Sequence, residues 1–289
     1  MTENEFLLQD RITKIKSINE QHNLLDNSYL SFSGGKDSTV LHYLLDVALP
    51  ENKIPRVFIN TGIEYNSVVA FVKQIQKNDN RIVVIQPSKN IKETLEIYGY
   101  PFKSKEYSQR LAYWKAGHRA DYMIKWANGE KFISCPKKLR YQLEESFTLN
   151  VSDKCCTKLK KEPAFFWSKE NNRPIAITGM RKEEGGNRKT MSCITTKNDK
   201  VVKFHPLAPI PELWEDWFVK KYKIELCELY YPPYNFTRTG CKGCPFAIDI
   251  QKELDVMEKY LPAEKKQCEL IWKPVYDEYR KIGYRLNNK

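Results

Sequence analysis

The stretch "YLSFSGGKDSTVLHYLLDVAL", residues 29–49, sets two glycines and a lysine between an apolar stub and a run with helical patterning. "SYLSF" (28–32) predicts a short buried strand, and "DSTVLHYLLDVAL" (37–49) predicts a helix that ends before Pro50. Glycines in the intervening turn let the backbone approach an anion closely, and the N–H groups that open a helix have no intrahelical acceptor. Lys36 adds a full positive charge, Ser33, Ser38 and Thr39 add hydroxyl donors, and Asp37 is placed to cap the helix or to help hold Mg²⁺. A lone "GG" is more simply a tight turn without a ligand, but the six-residue string between strand and helix points to a bound phosphate. The spacing is not that of a Walker loop.

Outward from this turn the chain alternates. Residues 4–24 predict an amphipathic helix with Phe6, Leu7, Ile12, Ile15 and Ile18 near one face. Strands are expected at 55–62, 81–87 and 173–179, and helices at 64–77 and 212–222. A charged helical tail is expected over 248–282. Strands separated by helices of this length imply right-handed βαβ units, and so an α/β fold with a Rossmann-like, doubly wound parallel sheet. The expected division is an N-terminal helix (1–24), a main domain (25–230) and a cysteine-bearing helical portion (231–289).

The chain has 289 residues, enough for a sizeable core, and 41% hydrophobic against 29% charged residues excludes a disordered chain. No run approaches the roughly 18 apolar residues that cross a bilayer. The polar start "MTENEFLLQDRITKIK" lacks a secretion signal, so a cytoplasmic protein with no membrane partner is expected. The 48 Lys+Arg against 36 Asp+Glu leave +12, which favours anionic partners. Basic residues concentrate over 101–140, ten Lys/Arg against three Asp/Glu, interleaved with Phe102, Tyr107, Tyr113, Trp114, Tyr122, Trp126 and Phe132. That composition is read either as a solvated helical insert (101–150) or as a surface on which a nucleic acid stacks.

At Ser33–Ser38 the sequence resembles the PP-loop ATP pyrophosphatases, whose "SGGKDS" grips the pyrophosphate of ATP. "VFINTGIEY", "ITGMRKEEGGNR" and "HPLAPIPELWEDWFVKKY" are similar to segments of the phosphoadenosine phosphosulfate (PAPS) reductase branch, so the likeness runs over roughly residues 25–247. It implies a PP-loop fold and a nucleotide site of Ser31, Ser33, Gly34, Gly35, Lys36, Asp37, Ser38, Thr39, Asn60, Thr61, Gly62 and Gly179. Lys36, Asp37, Arg181 and Arg188 are the implied catalytic contacts, the two arginines toward anions. The chain departs from the branch at Asn60, where an aspartate is usual, and at Gly186 and Asn187, where the arginine loop usually has a serine.

Eight cysteines in a chain expected to be cytoplasmic are read first as metal or redox sites. "DKCCTK" supplies Cys155 and Cys156; "GCKGCPF" supplies Cys241 and Cys244. Adjacent cysteines suit one zinc ion poorly, whereas a cubane offers each a separate iron corner. The resemblance implies the same centre, because iron–sulfur members of the branch carry CC and CxxC around one [4Fe–4S] cluster, with a basic residue where Lys160 stands. Zinc and unligated thiols stay open as alternatives.

No cysteine follows Cys268, so the C-terminal thiol nucleophile of sulfonucleotide reductases has no counterpart, while the phosphate loop is intact. Together these favour ATP with Mg²⁺ as the nucleotide, and the resemblance to the PP-loop proteins of DNA phosphorothioation and tRNA thiolation implies its cleavage to AMP and pyrophosphate to activate a substrate for iron–sulfur-assisted sulfur transfer. DNA or tRNA bound through 101–140 is the candidate acceptor. A cysteine desulfurase or a thiol-carrier protein is the candidate partner, and a homodimer the candidate assembly. The alternatives are a PAPS or adenosine phosphosulfate reductase using a relocated thiol, Cys193 or Cys268, and an ATP-binding regulatory module without turnover.

Overall fold

The computed structural model describes residues 1–130 and 134–287. Lys131 and Phe132 of the basic stretch, and the side chain of Asn187, lie outside what is described. The chain gathers into two compact units, one of Met1–Asn60, Glu64–Gln86 and Glu162–Thr239, the other of Thr61–Ile63, Pro87–Lys161 and Gly240–Lys289.

The first unit opens with α1 (Glu3–His22), where the Thr2 side chain and Glu5 form a reciprocal N-terminal cap. Leu8, Ile15 and Ile18 are buried, but Phe6 is 58% exposed and does not join that face. Asn23, at φ 46°, stops the helix before the short α2 (Leu24–Asn27). The sheet follows as β1 (Ser28–Ser31), β2 (Arg56–Ile59), β3 (Ile82–Ile85), β4 (Ile175–Ile177), β5 (Ile194–Lys197) and β6 (Lys200–Phe204). The helices among them are α3 (Lys36–Ala48) and α4 (Asn66–Asn78), then α9 (Glu162–Glu170) and α10 (Glu212–Tyr222).

The strand order is β3-β2-β1-β4-β6-β5. Every pairing is parallel except β5 with β6, so the expected α/β architecture with a mostly parallel sheet is present. The antiparallel edge was not anticipated; its turn residues Asn198 and Asp199 both have positive φ, which suits a tight hairpin. β1 is central, with Leu30 opposite both Arg56 of β2 and Ile177 of β4. Chain order departs in opposite directions from β1. The loop after it therefore lies at the switch point of the sheet, the place where open α/β sheets bind ligands.

Packing beside β1 joins an apolar core with one buried ion network. Leu30, Leu41, Leu44, Leu45, Ile177 and Phe204 have no exposed surface. Arg56, also fully buried, donates to His42 Nδ1 at 3.1 Å and to Asp46 at 2.7 Å, and Arg81 adds a second bond to Asp46 at 2.8 Å. Burial, followed by the charge of Arg56, holds His42 down at about 4, so this histidine stays neutral at ordinary pH and serves as an acceptor.

The second unit is helical: α5 (Ile91–Tyr98), α6 (Lys105–Lys115), α7 (Asp121–Asn128) and α8 (Lys154–Cys156), the last running into a π-helical turn over Thr157–Lys161. The expected tail helix is three: α11 (Ile250–Tyr260), α12 (Pro262–Ile271) and α13 (Lys273–Lys281), with prolines in the first turns of the last two. Proline fits there because its missing N–H would have no helical acceptor. Phe102, Tyr107, Leu111, Met123, Trp126 and Tyr279 form its core. None of the described helices is long and apolar enough to cross a membrane.

Candidate functional site

β1 delivers Ser33-Gly34-Gly35 at its carboxyl end, and α3 starts at Lys36 with Gly35 as N-cap and no side chain capping it. Gly34 has φ 71°, and a Cβ there would stand 2.9 Å from Val72 and 3.0 Å from Val68 of α4, so only glycine fits. Three loop amides are satisfied within the unit. Ser33 N–H donates to Ser38 Oγ (3.2 Å), Gly35 N–H to Ser33 Oγ (3.3 Å) and Lys36 N–H to Tyr230 Oη (2.9 Å). The Tyr230 hydroxyl also meets Thr239 Oγ1 at 2.9 Å. The amides of Gly34, Asp37 and Ser38 have no acceptor among the described residues. Three open donors at a helix start, in a glycine-lined turn, form an anion seat.

The charged side chains around that seat come from α3, the arginine loop and α10. Lys36 Nζ lies 2.6 Å from Asp216 and 3.5 Å from Glu212. Burial works to lower the lysine pKa, but Asp216, Glu212 and Glu215 together hold it above the usual value. Arg181, 6% exposed, sits among four carboxylates: Glu183 at 2.7 Å, Asp37 at 3.0 Å, Glu215 at 3.3 Å and Glu212 at 3.9 Å. Gly179 permits this approach of the arginine loop to α3, because a Cβ there would lie 2.9 Å from the Asp37 carbonyl oxygen.

Sequence reasoning missed Glu215. It is fully buried, and neither carboxyl oxygen has a hydrogen-bond partner. Burial, then the charge of Asp37, push its pKa up to about 9 against the opposing pull of Arg181 and Lys36. The acidic run "ELWEDWF" was legible, but which of its carboxylates turned inward was not. Tyr230 and Thr239 were also missed; nothing local in their sequence marks them as neighbours of a loop some 200 residues earlier.

The remaining expected nucleotide residues are more dispersed. Ser31 ends β1 on its exposed side, and Ser38 and Thr39 return their hydroxyls to the Gly35 carbonyl at 2.9 and 3.0 Å. Asn60 N–H extends the β2–β3 ladder to Ile85 O at 2.9 Å. Thr61, buried, and Gly62, at φ 80°, follow in the second unit. Arg188 pairs with Glu184, which also accepts the Arg181 N–H at 3.1 Å.

All four expected metal ligands lie in the second unit. Cys155 and Cys156 sit on α8; Cys241 and Cys244 flank a turn in which Gly243 has φ 59°. Among the described residues no trio of His, Cys, Asp or Glu forms a group that could hold a metal ion. The thiols are nonetheless electrostatic neighbours. The pKa of Cys155 is raised first by its hydrogen bond with Cys156 and further by the charges of Cys244 and Cys241. Cys156 is lowered, chiefly by that same bond and then by Lys105, Lys160 and Lys161. Burial raises Cys244. All four are sulfur donors, the ligand type of zinc and of iron–sulfur centres alike, and the three lysines act on Cys156.

The basic stretch divides. Phe102, Tyr107 and Trp126 are core residues, so they are not the stacking surface that interleaving implied; Tyr107 is buried on α6, Trp126 on α7, and Phe102 just before α6. Tyr113 and Tyr122 remain exposed, and Arg119 stacks 3.8 Å over Trp114. Arg110 and Lys125 are paired with Glu106 and Asp121 one helical turn away.

Residues 27–247 match the phosphoadenosine phosphosulfate reductase domain. The uncharacterized protein MJ0973 of Methanocaldococcus jannaschii is 26% identical over 250 residues, which is 86% of this chain and 48% of that protein. The chain thus spans about half the length of the curated relative it matches. Among solved structures, the U34-tRNA thiolase NcsA of Methanococcus maripaludis with its [4Fe-4S] cluster aligns over 99% of this chain and 82% of its own, at 15% identity and TM-score 0.44. The PAPS reductase of Candida auris, a phosphate complex, aligns over 70% and 76% at 14% identity and TM-score 0.40. With its glycine loop at the switch point of a parallel sheet and most of its length matched, the chain belongs to the phosphoadenosine phosphosulfate reductase domain family, a family of nucleotide-binding proteins.

Proposed function

We propose that this protein binds ATP at Ser33–Thr39 and cleaves it to AMP and pyrophosphate, activating an acceptor for sulfur transfer. The observation that carries the reading is the set of unpartnered amides of Gly34, Asp37 and Ser38 at the start of α3, with Lys36 and Arg181 beside them. An acceptor oxygen gives up its proton and attacks the α-phosphorus, the bond to the bridging oxygen of the β-phosphate breaks, and pyrophosphate leaves with the charge that these donors stabilise. The acceptor is left as its adenylate, and a sulfide-level sulfur nucleophile then forms the new bond to the acceptor as the bond to the adenylate oxygen breaks and AMP departs. The carboxylates now paired with Lys36 and Arg181 are partly exposed except Glu215, and a polyphosphate competes with them for the two cations. Mg²⁺ accompanies the nucleotide in this scheme, with Asp37 and Asp216 as oxygen donors near the loop.

Cys155, Cys156, Cys241 and Cys244 would hold a [4Fe–4S] cluster, which when bound supplies iron–sulfur chemistry for carrying sulfur or electrons. The exposed Tyr113 and Tyr122, with Lys105 and Lys115 of α6, support a nucleic-acid acceptor. Incubation with ATP, Mg²⁺, sulfide and candidate DNA or tRNA acceptors should release AMP and pyrophosphate in equal amounts, and without sulfide pyrophosphate alone with an adenylated acceptor. ATP binding with no turnover across the acceptor panel would leave a regulatory module instead. Anaerobically purified protein should carry iron, and Cys241→Ser should lose it; zinc in place of iron would reassign the centre.

A sulfonucleotide reductase is the second reading, and Cys193 is what favours it: the residue is half-buried just beyond the arginine loop. Cys268 is a poor nucleophile, fully buried with its thiol pushed up to about 12, first by burial. Sulfite release from PAPS, abolished by Cys193→Ser, would establish this second reading and remove the first.

A further inference from the structure

The C-terminal helices lie beyond the part of the chain that matches the family, and they make one concentrated set of contacts within their own unit. Trp272 Nε1 donates to Lys242 O at 3.1 Å, Tyr276 Oη to Gly243 O at 2.5 Å, and Tyr279 Oη to Pro245 O at 2.9 Å. Arg285, just past α13, adds a second bond to Pro245 O at 2.9 Å. Three successive donors, at the junction of α12 and α13 and along α13, thus engage three carbonyls of the single turn "CKGCP". Trp272, Tyr276 and Tyr279 are each no more than 2% exposed, so these bonds are shielded from water.

The fit is close. A Cβ on Gly243 would stand 2.5 Å from Tyr276 Oη and 2.8 Å from Cys268 Sγ, so the turn rests directly on α12 and α13. Tyr279 Oη also accepts the Lys103 N–H at 2.7 Å, which ties α13 to the residues before α6. Thiolate ligands are stabilised by N–H dipoles and opposed by carbonyl oxygens aimed at them. The carbonyls of Lys242, Gly243 and Pro245 are each taken up by a side-chain donor, and the Phe246 N–H meets the Cys244 thiol.

We propose that the paired helices α12 and α13 are a brace that fixes the backbone of the Cys241–Cys244 turn, with Tyr276 as its principal positioning residue. The metal itself rests on the reading given above; the brace rests on the hydrogen bonds. Tyr276→Phe removes one hydroxyl and keeps the ring. In the full-length chain without metal, amide hydrogen exchange across 241–247 should quicken roughly fivefold, the effect of losing one buried hydrogen bond, while the α3 and sheet amides keep their wild-type rates. In iron-loaded protein, loss of iron to a chelator should accelerate by about tenfold or more.

Tyr279→Phe is the second variant, for use if Tyr276→Phe does not fold, and the same two readouts apply. Unchanged exchange across 241–247 in a folded variant overturns the brace, whatever metal is bound. Wild-type protein that takes up no iron or zinc, while the variant still shows faster exchange, overturns the metal reading and leaves the brace standing.

Discussion

Replacing Glu215 by glutamine should stabilise the protein by an amount that grows with pH. The side chain is fully buried on α10, both oxygens lack a hydrogen-bond partner, and its pKa is pushed up to about 9 from an ordinary 4.5. A carboxyl with a raised folded pKa holds its proton more tightly folded than unfolded. Below the unfolded value both states are protonated and the group costs nothing. Between the two values the unfolded chain releases its proton first, and folding loses about 1.4 kcal/mol for each pH unit. By neutral pH the loss is on the order of 3 kcal/mol, and it stops growing once the folded carboxyl also ionises. Glutamine has the same shape and never ionises. The stability gap between Glu215→Gln and wild type should therefore be smallest near the unfolded pKa and widen steadily toward the folded one. Urea unfolding of both proteins, run from about pH 5 to about pH 8, measures the gap directly. A gap that does not change with pH, or that narrows as pH rises, refutes the claim that Glu215 is held as the neutral acid.

Three further outcomes test other parts of the structure. Lys36→Ala should abolish ATP turnover while changing unfolding free energy by less than about 1 kcal/mol, because its partner Asp216 is half-exposed; unchanged turnover would mean the loop is not the phosphate site. Gly179→Ala places a Cβ 2.9 Å from the Asp37 carbonyl oxygen, so nucleotide affinity measured by calorimetry should fall and stability should drop by about 1–3 kcal/mol. Arg56→Ala strips the buried partner from Asp46 and His42 and should cost about 3 kcal/mol or more in denaturant unfolding, with no direct loss at the loop.

Much of the fold was legible because its signals are local. Apolar runs such as "SYLSF" and "RIVVIQP" span only a few residues, and the glycines of the loop mark a backbone demand that neighbours cannot change. The hairpin of β5 and β6 was missed although "ITTKNDKVVKF" carries β-branched residues around an Asn-Asp turn. Its weak apolar content hid it, since both strands are largely exposed at the sheet edge. In the basic stretch, aromatic residues were visible but their burial was not, because a helix sends Tyr107 and Trp126 inward and Tyr113 and Tyr122 outward from similar surroundings.

By itself the sequence determined the alternation of β1, α3, β2, α4 and β3, the strand β4 and the helix α10, the position of the glycine loop between β1 and α3, and the two cysteine pairs. Each depends on residue types a few positions apart. Tertiary structure alone decided that Tyr230 takes the Lys36 amide, that Glu215 is buried beside Arg181, and that Tyr276 and Tyr279 grip the cysteine turn. Those contacts join residues separated by tens to hundreds of positions, and their strength comes from burial, which a linear chain does not possess until it has folded.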